Sequence, residues 1–433
     1  STPIKSSAAS DVYKRQEYLS EDSEFDKLLY EYLIKSGSIS GAQVCAILYE
    51  QGVLPMDEAA YNGLLAGTVD AYTWLYNKIA SLEITPGQLA LEPCSAGAVV
   101  SDPNTGEVLA CVSYPGYDNN RLANTMDSAY YRQLNTGLAR TFYNRATQEK
   151  TAPGSTYKMV SSVAALTEGI INGNSTYYCD GIFTDVTPSP RCWNRSGHGS
   201  LNVVRALQVS CNEFFYNVGY DLGLDANGNY DSDLGIEKLA KYAAMFGLNE
   251  KSGVEIPETS PEISDQYAVQ SAIGQGTNNY TVSQLNRYVA AVANRGTVYD
   301  LSLIDKTTDS SGKLIKDYEP EVVNTIDEVS STTWDLVHEG MVRMVENSST
   351  FTSLDMSIAG KTGTAQQSET SPDHALFVGF APSDTPEIAV AVRIANGYNS
   401  SYPSEIGRDI VKIYFGLEDC LLYTSPSPRD RQK

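Results

Sequence analysis

Residues 153–166 read Pro-Gly-Ser-Thr-Tyr-Lys-Met-Val-Ser-Ser-Val-Ala-Ala-Leu, and the fold is best worked out from this stretch. Pro153 and Gly154 interrupt the preceding chain, and an apolar run then follows at helical spacing. We therefore predict a helix over 155–171 that begins at Ser155. Lys158 lies one turn further on, on the same face as Ser155. Because a serine hydroxyl is a weak nucleophile near neutral pH, a desolvated lysine that loses its proton could activate it.

Two further short motifs follow in chain order. They are Ser210-Cys211-Asn212, inside an apolar stretch, and Lys361-Thr362-Gly363-Thr364, inside a predicted strand. Gly363 has no side chain, so a ligand could approach the strand backbone closely there. Each motif alone is weak: Ser-x-x-Lys recurs at 310–313 in a polar turn, and Ser-x-Asn recurs at 200–202, where Ser200 is predicted to cap a helix.

Strand signals lie at the two ends of the region after residue 92. Two β-runs, 98–100 and 108–112, flank turn residues 102–106 and predict a hairpin. Helical patterns occupy 200–219, 235–246 and 281–294, after a long loop over 172–200. The late predicted strands are Met356–Thr364, Ala375–Phe380 and Glu387–Ile394. We predict an α/β fold whose mostly antiparallel sheet joins the early hairpin to the late strands, flanked by helices and with an inserted helical subdomain.

The chain divides into four segments by pattern. Residues 17–91 are predicted to form a helical module, with one helix after Ser40-Gly41 and another capped by Asp57. Residues 92–417 form the main domain. The segments 1–16 and 418–433 are expected to be non-native and unpacked, because one DNA sequence read on opposite strands encodes both 11–16 and 420–425.

Composition limits the classes of function. With 31 Lys+Arg against 53 Asp+Glu, the formal net charge of -22 argues against nucleic-acid binding and against docking on anionic lipid. The 3 histidines show no paired His/Cys spacing, so neither a metal nor another cofactor is predicted.

Several reactive side chains have more than one interpretation. Cys179 and Cys192 flank a 12-residue loop and are compatible with either a disulfide or two free thiols. Cys211 is interpreted as a packing residue, and His198 as a hydrogen-bonding loop residue. Glu168, near the end of the predicted helix, is expected to have a capping or solvent role, although a role as a deacylating base stays open.

The three motifs together resemble the signature of penicillin-binding transpeptidases and serine β-lactamases. The resemblance extends over roughly 92–417 and looks like the class B penicillin-binding proteins, truncated at the N-terminus. Besides the three motifs, it is carried by residues 97–120, 144–146, 153–154, 198–199, 273–276, 360–366 and 377–382.

The resemblance implies a role for each motif residue. Ser155 would be the acylated nucleophile, Lys158 its base, and Ser210 the relay of a proton to the leaving D-alanine. Asn212 would bind the donor peptide backbone, while Lys361, Thr362, Gly363 and Thr364 would form the substrate carboxylate pocket. The backbone N–H groups of Ser155 and Thr364 would form the oxyanion hole.

The resemblance also implies an activity and partners. The expected activity is peptidoglycan D,D-transpeptidation through a Ser155 acyl-enzyme, with covalent binding of β-lactams. Stem peptides and a membrane glycosyltransferase would be the partners, at the extracytoplasmic face of a bacterial membrane, with an N-terminal anchor helix missing from this fragment. A serine β-lactamase, a β-lactam sensor and a D,D-carboxypeptidase are the alternative functions.

Overall fold

The computed structural model describes residues 29, 32–34, 36–81, 83–84, 95–137, 139–352, 354–366 and 372–417. The chain forms two compact units, Ser1–Pro93 and Cys94–Lys433. The two segments expected to be non-native, 1–16 and 418–433, lie outside the described residues, as does most of 17–35. Among the helices that are described, none has the length and apolar character needed to cross a membrane.

Within the described residues of the first unit, the three helices after residue 40 pack on a small core. They are α1 (Gly41–Glu50), α2 (Glu58–Leu65) and α3 (Ala71–Ala80). The Ser40 side chain and Gln43 form a reciprocal cap at the start of α1, and Asp57 accepts backbone hydrogen bonds at the start of α2, which confirms both predicted helix starts. The core of this unit consists of Cys45, Leu48, Tyr49, Leu54, Leu64, Trp74 and Ile84.

The second unit alternates strands and helices. Its strands are β1 (Ala96–Ser101), β2 (Val108–Tyr114), β3 (Tyr177–Cys179), β4 (Gly199–Leu201), β5 (Thr297–Tyr299), β6 (Lys306–Thr308), β7 (Leu314–Asp317), β8 (Val322–Thr325), β9 (Ala359–Ala365), β10 (His374–Ala381) and β11 (Ile388–Ile394). Its helices are α4 (Ser128–Thr136), α5 (Lys158–Thr167), α6 (Val203–Gln208), α7 (Asn212–Leu222), α8 (Ser232–Met245), α9 (Ala268–Ser271), α10 (Val282–Ala293), α11 (Ser331–Glu346) and α12 (Ser401–Phe415). Short 3₁₀ turns lie at Asn119–Arg121, Gly154–Tyr157 and Ser349–Phe351.

A five-stranded antiparallel sheet organises the second unit. Its strand order is β2-β1-β11-β10-β9, so the first hairpin pairs directly with the last strand, as in the pair Val99 and Ala391. This order confirms the prediction that the early hairpin and the late strands share one sheet. Strand β9 lies at the edge of the sheet and pairs on one side with β10.

Consecutive residues of the central strands pack on opposite faces of this sheet. Val99 and Ala391 belong to the large core that includes α10, whereas Val100 and Val390 pack with Val411 of α12. All residues of β10 are buried for this reason, and after His374 the strand is apolar without alternation.

Helix α5 is the centre of the helical subdomain. Residues 158–165 are all buried, because α7, α8 and α11 pack around this helix. The 155–171 prediction was close, with a 3₁₀ turn at 154–157 before the α-helix. A buried helix of this kind is apolar on nearly all sides.

The predicted helix over 200–219 is instead two helices. Chain direction changes between α6 and α7, where Ser210 has a left-handed backbone conformation with φ of 52°. The prediction that Ser200 caps the following helix was wrong: Asn202 is the cap, and its side chain accepts a hydrogen bond from the backbone N–H of Arg205. Asn can reach this N–H from the last extended residue, whereas Ser200 belongs to β4.

Candidate active site

Ser155 lies on a tight turn that presses against the edge strand β9. Gly154 has φ of +51°, and a Cβ there would lie 2.3 Å from the carbonyl oxygen of Thr364. A Cβ on Gly363 would lie 2.8 Å from Thr156 Cγ2 and 2.9 Å from the carbonyl oxygen of Pro153. The group that closely approaches Gly363 is therefore the turn that carries Ser155, and not a ligand. Gly154 and Gly363 allow this turn and strand β9 to come into contact.

Lys158 is the first residue of α5 and is completely buried. Its Nζ donates to the Ser210 carbonyl oxygen at 2.9 Å, to Asn212 Oδ1 at 2.7 Å and to Ser210 Oγ at 3.3 Å. Burial lowers the pKa of Lys158 to about 7, because charging an amine without water around it is unfavourable. An amine with this pKa is partly neutral at physiological pH and can accept a proton.

Lys361 reaches the same hydroxyl from the sheet. Its Nζ donates to Ser210 Oγ at 2.9 Å and to the Thr362 carbonyl oxygen at 2.9 Å. Burial, and then the nearby charge of Lys158, hold the pKa of Lys361 well below its usual range. Two lysine amines thus share one serine hydroxyl, which is a suitable arrangement for moving a proton.

The three motifs meet around one cleft. Its volume is about 990 Å³, and the motif residues that line it are Ser155, Ser210, Asn212, Thr362 and Thr364. The two lysines lie beneath this lining, and Gly363 is buried against the turn. Within the described part of the chain, the Ser155 hydroxyl makes no hydrogen bond, so it is available to a substrate. Ser155 is the second residue of the 3₁₀ turn Gly154–Tyr157, and backbone N–H groups at the start of such a turn lack intrahelical partners.

Glu168 does not belong to the cleft. It ends α5, and its carboxylate accepts hydrogen bonds from Lys241 at 2.9 Å and from the Tyr242 hydroxyl at 2.8 Å. These contacts fit the expected capping and solvent role. The carboxylate that does line the described cleft is that of Asp373, just before β10.

A second cluster of reactive side chains lies directly behind the Ser-x-Asn motif. It consists of Cys179, Cys192, His198 and Cys211, whose ligand atoms all lie within 4.8 Å of one another. His198 Nδ1 is 3.4 Å from the Cys179 sulfur and 3.6 Å from the Cys192 sulfur, and the Cys192 and Cys211 sulfurs are 4.0 Å apart. The three thiols are free, so the structure contains no Cys179–Cys192 disulfide.

This four-residue cluster could hold a zinc ion. Three thiolates and one imidazole form a common closed tetrahedral ligand set, in which sulfur atoms lie about 3.8 Å apart. The thiols are already unequal: the contact with the Cys211 thiol lowers the pKa of Cys192, while burial raises the pKa of Cys179. A cation would stabilise all three as thiolates.

Sequence reasoning missed this cluster. The prediction of no metal rested on the lack of short paired spacings, and Cys211 was interpreted as packing alone. The ligands follow the pattern Cys-x12-Cys-x5-His-x12-Cys, whose long spacings conceal it. The hairpin of β3 and β4 brings Cys179 next to Gly199, and the Ser210 turn brings Cys211 to them. Four candidate ligands within 33 residues were the available signal.

Residues 96–412 match the sequence model of the penicillin binding protein transpeptidase domain. The chain belongs to this family. Its fold is accordingly the penicillin-binding transpeptidase fold, as the resemblance implied.

The curated relatives include the peptidoglycan D,D-transpeptidase MrdA of Haemophilus influenzae, 29% identical over 75% of this chain and 53% of that protein. The Escherichia coli K12 protein of the same name is 30% identical over 70% of this chain and 51% of that protein. The chain therefore spans about half the length of the curated relatives it matches.

Solved structures with the same fold include one penicillin-binding protein in a complex and one as an acyl-enzyme. PBP2 of Pseudomonas aeruginosa in complex with WCK 5153 is 28% identical, with a TM-score of 0.64, covering 76% of this chain and 75% of that one. Penicillin-binding protein A of Mycobacterium tuberculosis, solved as a ceftriaxone acyl-enzyme, is 25% identical, with a TM-score of 0.66 and 74% coverage of both chains.

Proposed function

We propose that this protein is a peptidoglycan D,D-transpeptidase that works through an acyl-enzyme on Ser155. One observation carries the proposal: the amines of Lys158 and Lys361 both contact the hydroxyl of Ser210, in the cleft that also contains Ser155. This arrangement provides a nucleophile, a base of suitable pKa and a proton relay.

The first half of the reaction forms the acyl-enzyme. Neutral Lys158 takes the proton of Ser155 while Oγ attacks the carbonyl carbon between the two D-alanines. The developing oxyanion is stabilised by the backbone N–H groups of Ser155 and Thr364. When the C–N bond breaks, a proton passes from Lys158 through Ser210 to the leaving amine, and free D-alanine departs.

The second half transfers the acyl group. An amine of a neighbouring stem attacks the Ser155 ester, loses a proton and forms the new amide, while the Ser155 oxygen regains its proton. Asn212 would hold the donor peptide backbone through its side-chain amide, whose Oδ1 is fixed by Lys158. Thr362 and Thr364 would bind the terminal carboxylate of the donor, and the negative charge of that carboxylate would favour the charged form of Lys361. β-Lactams would imitate this donor and stay attached, as in the ceftriaxone acyl-enzyme of the mycobacterial relative.

The cellular setting belongs to the same proposal. A related chain, 26% identical with a TM-score of 0.67, belongs to a peptidoglycan synthase complex with structural coordination of polymerization and crosslinking. By analogy, the partner here is a membrane glycosyltransferase, and the protein acts at the extracytoplasmic face of a bacterial membrane. The supporting argument is chemical, since cross-linking needs newly polymerised strands next to the transpeptidase.

The test is covalent labelling with a fluorescent penicillin, followed by electrophoresis. The wild type should be labelled, and Ser155→Ala should not be. Ser310→Ala, which removes the serine of the second Ser-x-x-Lys motif on the β6–β7 turn, is the matched control and should be labelled like the wild type. Equal labelling of Ser155→Ala and Ser310→Ala would refute the site.

A second measurement separates the alternative functions. Rapid turnover of a chromogenic cephalosporin would identify a β-lactamase, and labelling without any product from a stem-peptide substrate would identify a sensor. Release of D-alanine without cross-linked product in the presence of an amine acceptor would identify a carboxypeptidase. The proposal expects a long-lived penicillin adduct and cross-linked product.

A further inference from the structure

Three exposed side chains form a distinct part of the cleft lining. Arg191, Trp193 and Arg195 lie on the loop between β3 and β4 and face the cleft that contains Ser155 and Asn212. We call these three residues the cationic wall. Among the described residues, neither arginine side chain has an ion-pair or hydrogen-bond partner. Two unpaired arginines in the cleft of a chain with a net charge of -22 call for a ligand of opposite charge.

Trp193 is fixed in place although the residue is 61% exposed. Its Nε1 donates to the carbonyl oxygens of Val209 at 3.2 Å and Ser210 at 3.1 Å, and the ring packs edge-on against His198 at 5.0 Å. The indole therefore presents an apolar face to the cleft from a rigid position. An exposed, immobilised aromatic ring next to arginines is typical of a binding surface.

The backbone that carries the cationic wall is also held firmly. Cys192 N–H donates to the Gly181 carbonyl at 3.0 Å, and the Tyr216 hydroxyl donates to the Arg191 carbonyl at 3.4 Å. Cys192 and His198 belong to the four-residue cluster described above, one on each side of Arg195. The backbone of the wall and its indole are therefore in place before a ligand arrives, which lowers the entropic cost of binding.

The Ser210 turn links the wall to the donor side of the reaction. Trp193 is hydrogen-bonded to the Ser210 carbonyl, which also accepts from Lys158, and Asn212 follows two residues later. In the proposed function, Asn212 holds the backbone of the donor residue that precedes the two D-alanines. The side chain of that residue would then point towards the wall. The charged cleft residue on the sheet side is Asp373, which would repel an anion.

We propose that the cationic wall binds a carboxylate carried by the side chain of the donor residue that precedes D-Ala-D-Ala. The proposal rests on the proposed function and adds substrate specificity to it: donors with an acidic group at this position are preferred over neutral ones. Arg191 and Arg195 supply the charge, and Trp193 packs on the aliphatic part of the same side chain.

The test uses two penicillins that differ by a single carboxylate. Benzylpenicillin has a neutral acyl side chain, and its α-carboxy derivative carries an anionic group on the carbon that corresponds to the Cα of the donor residue, where that residue's side chain is attached. The second-order rate constant of acylation is measured for both, and their ratio is compared between the wild type, Arg191→Ala, Arg195→Ala and the double variant. Each arginine should contribute about fivefold to the ratio in favour of the carboxylated compound.

A matched control separates a local effect from a change in net charge. Arg205 of α6 is exposed and does not line the cleft, so Arg205→Ala should leave the ratio unchanged. Arg195→Lys should keep part of the ratio that Arg195→Ala loses, because lysine keeps the positive charge but lacks the planar guanidinium that can form two hydrogen bonds to a carboxylate. Thermal unfolding of every variant checks that the fold is kept.

The outcomes distinguish this proposal from the proposed function. If benzylpenicillin acylates the double variant normally and the ratio of the two acylation rate constants falls, both the wall proposal and the transpeptidase proposal stand. An unchanged ratio in the double variant would overturn the wall proposal and leave the transpeptidase proposal intact. An effect confined to transfer onto an amine acceptor would also overturn it, because the wall would then bind the acceptor peptide. Failure of the wild type to be acylated by either compound would overturn the proposed function itself.

Discussion

The two halves of the candidate site differ in how they are built. Ser155 and Lys158 lie on one continuous element, a turn and a buried helix, and their positions follow from the local sequence. Ser210, Asn212 and the four-residue cluster instead depend on a left-handed turn and on a loop between two three-residue strands. The first half is held by the core, whereas the second is held by polar contacts and thiols. The nucleophile is thus fixed by core packing, whereas its proton relay, Ser210, is fixed by a separate region that depends on polar contacts and thiols.

The largest expected effect comes from removing the base in the first half. Lys158→Met keeps most of the volume of the buried side chain but has no amine, so acylation by a fluorescent penicillin should fall by about 10²–10⁴-fold. Thermal unfolding should show a folded protein, since removing a buried amine removes an unfavourable burial as well as its hydrogen bonds. Acylation within tenfold of the wild type, in a protein that melts normally, would contradict the role of Lys158.

The second half is tested by removing a thiol. Protein purified without chelator should contain about one zinc per chain by elemental analysis, and Cys192→Ser should lose it. If zinc is present at about 100 times its dissociation constant, its loss should lower the free energy of unfolding by about 3 kcal/mol. Acylation should also slow, because Cys211 lies between Ser210 and Asn212 and its sulfur accepts the Phe214 N–H at the start of α7.

Cys111 provides the control for this experiment. It lies on β2, outside the cluster, and is only partly buried. Cys111→Ser should keep the zinc and lose little stability. Absence of zinc from the wild type, or equal destabilisation by Cys192→Ser and Cys111→Ser, would exclude a metal site and leave the second half held by thiol packing alone.

A glycine pair tests how tightly the first half is packed. Gly154→Ala should destabilise the protein by about 2–4 kcal/mol, because it adds an overpacking cost to the cost of a positive φ. Gly169 also has a positive φ, of +72°, but a Cβ there would have no neighbour within 4 Å. Gly169→Ala should therefore cost only about 1–2 kcal/mol. Denaturant unfolding measures both, and equal losses would show that the turn does not press on β9.

The sequence could predict those parts of the molecule whose signals are local. Pro153-Gly154 and the apolar run after Ser155 located the nucleophile helix, and the turn residues 102–106 located the first hairpin, because these signals are local. Asn202 as the cap and the break at Ser210 were missed, because apolar periodicity continues through them. The cluster was missed for a further reason: its ligands meet only through tertiary structure, so no spacing rule for a single loop could find them.

The pH dependence of acylation tests the protonation state of Lys158, the amine that links the two halves of the site. Lys158 must be neutral to act as a base, and its pKa is lowered to about 7 chiefly by burial, with the nearby Cys211 and Cys192 opposing the shift. The acylation rate should therefore rise with pH through 7, by about tenfold between pH 6 and pH 8. Stopped-flow acylation at constant ionic strength measures this profile. A rate that is flat between pH 6 and pH 8 would show that Lys158 is already neutral or is not the base.

The smallest expected effect belongs to Glu168, the one acidic residue that the sequence left open as a deacylating base. Its carboxylate is bonded to Lys241 and Tyr242 at the far end of α5 and does not line the described cleft. Glu168→Gln should leave hydrolysis of the penicillin adduct within about twofold of the wild type and cost about 0.2–1 kcal/mol of stability, as for a partly exposed ion pair. Adduct hydrolysis by Glu168→Gln is compared with that by Asp373→Asn, because Asp373 does line the cleft. Adduct hydrolysis slowed at least tenfold by Glu168→Gln would mean that Glu168 reaches the ester, and the protein would then resemble a slow β-lactamase.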